Sequence, residues 1–257
     1  MSDDKGIIQI ELGQLFERLI LGIFIAEIIM IFLHVVVVWW PDNYPEGLYY
    51  MVHFSREGNF PTWFSSTQSF LLGLTSFLIY AAEKIRLPDK RTNVIWLLAG
   101  CGAVFLSADE ASTIHENFGD ILSAFIDAAD EGSALWSVGY FPSYYWAIIY
   151  APFAIPAAVF LAWFFWREFD QLRSLPIIGM ILFLTGAVLL DYIEGAYGDD
   201  ELGAFEFEIT AFDLGWLIDI HLFEEALELF GVTLVLMGCL LHAARLLRRF
   251  SISLSNS

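Results

Sequence analysis

Six stretches of this chain, at roughly 16–40, 62–82, 94–114, 144–166, 175–197 and 214–244, stay apolar for about twenty residues or more. An α-helix rises ~1.5 Å per residue, so ~20 such residues cross the ~30 Å of hydrocarbon in a bilayer. In hydrocarbon a backbone must satisfy its own polar groups, which a helix does within the segment. With 257 residues, 58% of them hydrophobic, the chain carries more apolar surface than one water-soluble core can hide. The expectation is an all-α polytopic transmembrane bundle of six helices. It forms a single membrane domain over residues 1–257, integral to the cytoplasmic (inner) membrane.

Basic residues orient such a bundle, because cytoplasmic loops retain lysine and arginine. Lys5, Arg18, Lys84, Arg86, Lys90, Arg91, Arg167, Arg173, Arg245, Arg248 and Arg249 fall on one side of a six-crossing arrangement, and Arg56 falls on the other. Both termini and the loops near 83–93 and 167–174 are therefore expected in the cytoplasm. The acid-rich segments 41–61, 115–143 and 198–213 then face outward. The start, MSDDKGIIQIELGQLFERL, has acids ahead of its apolar run and no small-residue cleavage pattern, so it reads as retained. Pro61, with Thr62 and Trp63 behind it, opens the second run, while Pro152 and Pro156 should kink or loosen the fourth. Apolar spacing at Ile114, Phe118, Ile121, Leu122 and Phe125 predicts a helix over 115–130, either interfacial or an extension of the third crossing. Trp39, Trp40, Tyr144, Tyr145 and Trp146 read as part of an interfacial aromatic belt.

Charge and cysteines limit the partners. A net charge of −19 excludes nucleic acid, which binds basic patches, and permits attraction of cations. Cys101 and Cys239 sit inside apolar runs and in no CxxC pair, which argues against a structural disulfide. The remaining partners are membrane lipids, an apolar substrate, and an oligomer or larger membrane complex.

Ionisable groups inside a membrane are costly and need a partner, a wet cavity or a function. The third run ends in Ser107-Ala-Asp-Glu-Ala-Ser-Thr-Ile-His-Glu116, the fifth carries Asp191-Tyr-Ile-Glu194, and the sixth carries His221-Leu-Phe-Glu-Glu-Ala-Leu-Glu228. Counted from cytoplasmic ends near 94, 175 and 244, Asp109 and Glu110 lie at roughly 23 Å, Asp191 and Glu194 at roughly 24–28 Å, and Glu228 through Glu224 at roughly 24–30 Å. His34 reaches a similar height, with His115 and His221 slightly above it. Residues three, four and seven apart share a helix face, so His221, Glu224, Glu225 and Glu228 form one polar stripe and Asp191 and Glu194 another. On the third helix Asp109, Ser112 and Glu116 align, with His115 beside them if the helix continues. Polar stripes at one depth should turn toward each other and away from lipid.

Clustered carboxylates repel unless protonated, hydrogen-bonded or bridged by a cation, and the outer side offers only Arg56. Asp109, Glu110, His115, Glu116, Asp191, Glu194, His221, Glu224, Glu225 and Glu228 are therefore the candidate ligands of one or two divalent metal ions. Carboxylates with one or two imidazoles suit iron, manganese or zinc, in the manner of di-iron bundles. The Glu-x-x-His of such bundles is absent, and His221-x-x-Glu224 runs in the reverse order. Ser65, Ser66, Ser107 and Ser112 lack a nucleophile-elbow pattern. Asp199, Asp200, Glu201, Glu206 and Glu208 lack EF-hand spacing and read as a solvated loop. His53 and His242 read as lone histidines in ordinary packing or lipid contact. Glu27, near mid-bilayer, has to find a polar partner that its sequence neighbours do not name.

The strings Glu57-Gly-Asn-Phe-Pro-Thr-Trp-Phe-Ser-Ser66, Leu106-Ser-Ala-Asp-Glu110 followed by His115-Glu116, and Glu224-Glu225-x-x-Glu228 resemble those of an uncharacterised group of bacterial multi-pass membrane proteins. The resemblance runs from the second to the sixth crossing and carries no assigned activity. It implies that these segments form one site, with Asn59, Trp63 and Ser65 at its rim. The HxxH and HxxxH boxes of membrane desaturases and hydroxylases are absent, as is the multi-histidine pattern of ceramidase-like membrane hydrolases.

The favoured reading is a metal-dependent membrane enzyme, oxidoreductase or hydrolase, acting on a lipid or other apolar substrate. Glu110, Glu194, Glu225 and Glu228 would bind the metal, and His115 and His221 would complete its shell or move protons as the catalytic pair. Two alternatives use the same residues: proton or cation translocation, and an accessory or structural subunit whose acids are paired without metal.

Overall fold

The computed structural model describes residues 12–54, 56–91, 93–197 and 220–247. The acids Asp199 to Glu208, the expected helix start at 214–219 and the basic residues Lys5, Arg248 and Arg249 lie outside the described residues. The long helices are α1 (Leu12–Trp39), α3 (Phe60–Arg86), α4 (Asn93–Ser112), α7 (Trp146–Glu168) and α10 (Ile220–Leu247). Shorter ones are α2 (Glu46–Val52), α5 (Ile114–Asp127), α6 (Ala134–Val138), α8 (Ser174–Leu184) and α9 (Asp191–Tyr197). A π-helical turn, Thr185–Leu190, joins α8 to α9 so that the three run as one rod.

Five of these segments are long and apolar enough to cross a membrane: Leu12–Trp39, Asn93–Ser112, Trp146–Glu168, Asp170–Ala196 and His221–Leu247. The remaining expected crossing is α3, whose 27 residues give it the length. Its Ser65, Gln68, Ser69, Thr75 and Ser76 dilute its apolar character, and all five are buried in the bundle. Asn59 starts α3 as the expected proline suggested: its side chain accepts a hydrogen bond from the Thr62 amide at 3.2 Å, and Pro61 occupies the first turn, where an amide donor would go unused. α7 carries Pro152 and Pro156 within a single uninterrupted helix.

The burial pattern is that of a bundle solvated by lipid. Phe32 and Phe153 are 63% and 77% exposed while Glu27 is 0% exposed. At the centre stands α10, packed against α1, α3, α8 and the π turn. The contact with α8 is close because both helices place a glycine there: a Cβ on Gly179 would lie 2.5 Å from the Gly231 carbonyl oxygen, and one on Gly231 would lie 2.7 Å from that of Gly179. Near one end Ile79, Trp96, Phe164, Phe165, Phe169 and Cys239 form a buried core, and Ile20, Ile23, Leu236 and Leu240 form a second on the α1 side.

Two local expectations change. The helix over 115–130 exists as α5, yet it does not extend α4: Thr113 takes φ 45° and ψ 45°, a left-handed conformation that ends the first helix and redirects the chain. Asp109, Ser112 and Glu116 therefore do not form the single aligned stripe of a continuous helix, since Glu116 belongs to α5. Asp109 and His115 still meet, for the reason given next.

Candidate functional site

The left-handed turn at Thr113 brings His115 back over the end of α4. There the Asp109 carboxylate accepts from both the His115 amide (2.9 Å to Oδ1) and engages the ring Nδ1 (2.9 Å to Oδ2). A third donor, the Tyr150 hydroxyl on α7, reaches Oδ1 at 3.3 Å. The imidazole is wedged edge-on to Trp146, with ring centroids 5.2 Å apart. Burial disfavours its protonated form, but the hydrogen bond and charge of Asp109, helped by Glu116 and Asp191, outweigh burial and hold its pKa above the usual histidine value. Asp109 thus serves as the carboxylate that fixes a histidine's ring and tautomer.

On the facing side, α9 and α10 bring together Glu194, His221 and Glu224. Their ligand atoms all lie within 4.8 Å of one another. His221 Nδ1 is 3.2 Å from Glu194 Oε2, and the Tyr144 hydroxyl donates to Glu194 Oε1 at 2.8 Å. Glu224 and Glu194 are in hydrogen-bond reach of each other. Carboxyl groups at that range repel unless a proton or a cation lies between them. The register that allows this comes from the π turn. Its Gly186 lies so close to α10 that a Cβ there would sit 2.6 Å from the Glu224 carbonyl oxygen and 2.7 Å from Glu228 Cγ. The extra residue of the turn then rotates Asp191 and Glu194 relative to an uninterrupted helix.

The other candidate acids surround this group. Glu225 lies in the field of Glu110, Glu57 and Glu194, and Glu228 in that of Glu225, Glu110, Glu224 and Asp191. Glu110 is hydrogen-bonded by Ser65, and Asp191 by the Trp146 side chain. Asp191 Oδ2 is buried without a partner among the described residues. Glu116 is exposed and faces Glu57. His34 stands apart, buried against His53 and Phe54, and accepts from the Phe54 amide at 3.2 Å.

Three participants were not legible as such. Tyr144 and Trp146 were expected in an aromatic belt and instead hydrogen-bond Glu194 and Asp191, and Tyr150, which the sequence did not single out, hydrogen-bonds Asp109. A tyrosine at the interface looks the same in sequence whether its hydroxyl meets water or a carboxylate. Glu57 is in the same position: it lies in a recognised string, but only the fold brings it beside Glu110 and Glu116. Ser66 donates to the Ser107 carbonyl at 2.7 Å, a contact that joins α3 to α4.

A second group with ligand atoms within 4.8 Å, Glu83, Glu168 and His242, lies at the opposite end of the bundle. Lys90 donates to Glu83 at 2.6 Å and also to Glu168. Burial disfavours its charge, but the two carboxylates more than compensate and keep its ammonium above the ordinary lysine pKa. His242, expected in plain packing, does stack on Trp96 with ring centroids 5.6 Å apart. It also faces the two glutamates.

The protein is thus a multi-pass helical membrane protein with two carboxylate and histidine groups that could each hold a metal ion. No curated protein and no solved structure matches the chain. The residues that build both groups, from Glu83 to His242, fall within the 20–243 span that matches the family described as "Domain of unknown function (DUF8692)", and the chain belongs to that family.

Proposed function

We propose that this protein is a six-crossing enzyme of the cytoplasmic membrane in which Glu194, His221 and Glu224 hold a divalent iron, manganese or zinc ion, and that it acts on a lipid or another apolar substrate. The observation that carries the reading is the convergence of three ligand atoms within 4.8 Å, on two helices, amid further carboxylates. An ion bound there would activate water or oxygen and supply the positive charge that the crowded acids lack. Tyr144 holds Glu194 in place through its hydroxyl, and Asp109 holds His115 so that its other ring nitrogen can take or give a proton from a fixed position. Leu189, Tyr192 and Phe223, close to the ligands in sequence, are exposed and would offer an apolar substrate lateral access from the lipid. In this reading α3 crosses with the other five helices. The basic ends near Lys84, Arg86, Arg167, Arg173 and Arg245 then face the cytoplasm, and the metal lies toward the outer side.

Translocation of protons or cations is the second reading, because Glu27, Gln68 and Thr233 form a buried polar station part-way along the bundle. Past Thr233, however, α10 buries Val235, Leu236, Cys239 and Leu240 in apolar neighbours, over ~13 Å before His242. That seal favours the enzyme. Metal analysis of protein purified in detergent is the test: the wild type should carry an equivalent that Glu194→Gln and His221→Gln lose. Absence of stoichiometric metal after reconstitution with iron, manganese and zinc would refute the proposal.

A further inference from the structure

We propose that Glu83, Glu168 and His242 form a second transition-metal site, and that Lys90 is its built-in competitor, an ammonium placed where a divalent ion would bind.

Three helices deliver the ligands: α3 brings Glu83, α7 brings Glu168 and α10 brings His242, all with ligand atoms within 4.8 Å. Lys90 satisfies this group only in part. It reaches one oxygen of each glutamate, and Glu83 Oε2 remains buried without a partner among the described residues, in a side chain that is 1% exposed. Among the described residues His242 Nε2 is likewise buried and unpartnered, as is Nε1 of Trp96, the fully buried indole stacked on the His242 ring. An ammonium is a donor only and carries a single charge. It balances one of the two carboxylates. A divalent ion balances both and accepts from oxygen and imidazole nitrogen alike. A mixed carboxylate and imidazole set favours zinc, manganese or iron over magnesium and calcium.

The position of Lys90 fits displacement. It lies in the short connection between α3 and α4, and its side chain is 24% exposed, so it can swing to solvent while the buried glutamates stay fixed. The site is thereby closed by a side chain of the protein itself until an ion of higher charge replaces it.

The test is zinc titration of the full-length protein in detergent, against chelators of graded affinity, with cobalt absorption reporting the ligand set. Lys90→Met should bind zinc at least ten-fold more tightly than the wild type. Glu83→Gln and His242→Gln should each lose that equivalent, while Glu224→Gln keeps it and loses the one at the other end. Millimolar magnesium or calcium should not compete. Unchanged or weaker zinc binding by folded Lys90→Met would overturn the proposal. Should Lys90→Met fail to fold, the wild type compared with Glu83→Gln and His242→Gln decides the matter, and equal zinc stoichiometry in all three overturns it.

Discussion

Gln68→Met removes the centre of the most deeply buried polar contact in the bundle without changing side-chain volume much. Gln68 Nε2 donates to Glu27 Oε1 and to Thr233 Oγ1, both at 2.7 Å, and Thr233 Oγ1 donates to the same Glu27 oxygen at 2.6 Å. Glu27 and Thr233 are both 0% exposed, so no water can replace the lost donor. An interhelical hydrogen bond in a membrane protein contributes ~0.6 kcal/mol on average. Leaving a buried acceptor short of a donor costs about 1–3 kcal/mol. Two bonds are lost and Glu27 keeps one, so Gln68→Met should destabilise the protein by about 1–3 kcal/mol. Glu27→Met should cost a similar amount. The double variant should cost less than the two together, by about 1–2 kcal/mol, because removing both partners leaves no carboxylate to satisfy. Thr233 can then turn its hydroxyl to the carbonyl four residues back, as Thr75 does to Leu71 at 2.8 Å. Reversible unfolding in mixed micelles measures all three. Strict additivity, or a Gln68→Met cost under about 0.5 kcal/mol, would refute this account of the triad.

Three further outcomes are expected. Gly186→Leu should push the π turn off α10 and abolish metal retention at Glu194, His221 and Glu224 in metal analysis, at an overpacking cost of about 1–3 kcal/mol; retained metal would disprove the role given to that contact. Thr113→Pro should lower the melting temperature, since proline's φ near −65° cannot adopt the observed 45°, with a cost of about 3 kcal/mol, whereas Thr113→Gly should be tolerated. Asn59→Ala should cost about 1 kcal/mol in unfolding measurements through loss of the α3 cap, and Asn59→Asp should recover most of it.

The helices were legible because the demand that creates them is local. A segment in hydrocarbon must satisfy its own backbone, so its length and apolarity appear in consecutive residues, as in α1, α4 and α7. α3 was legible from its apolar run and from Pro61 at its start, although its polar interior blurs its composition, and only the structure showed Asn59 as its cap. The stripe on α10 was legible from spacing alone. The partners of Glu27 were not, because Gln68 is 41 residues away and Thr233 is 206 away. The break at Thr113 had no such signal either: threonine rarely takes a left-handed conformation, and what holds it there is a set of contacts that includes the closure of His115 on Asp109.

Residue order therefore settled that the chain forms long apolar helices, and it marked the carboxylates and histidines that interrupt them. Which of those groups meet was decided in three dimensions. Glu194 faces His221 and Glu224 because Gly186 lets a π turn press against α10, and Glu83 faces His242 because α3 and α10 cross the bundle side by side. Helix formation answers to the solvent around each segment, whereas helix pairing answers to the shapes of two surfaces distant in sequence. A glycine whose missing side chain admits a neighbour leaves no mark in hydropathy, yet it sets where every ligand on both helices points.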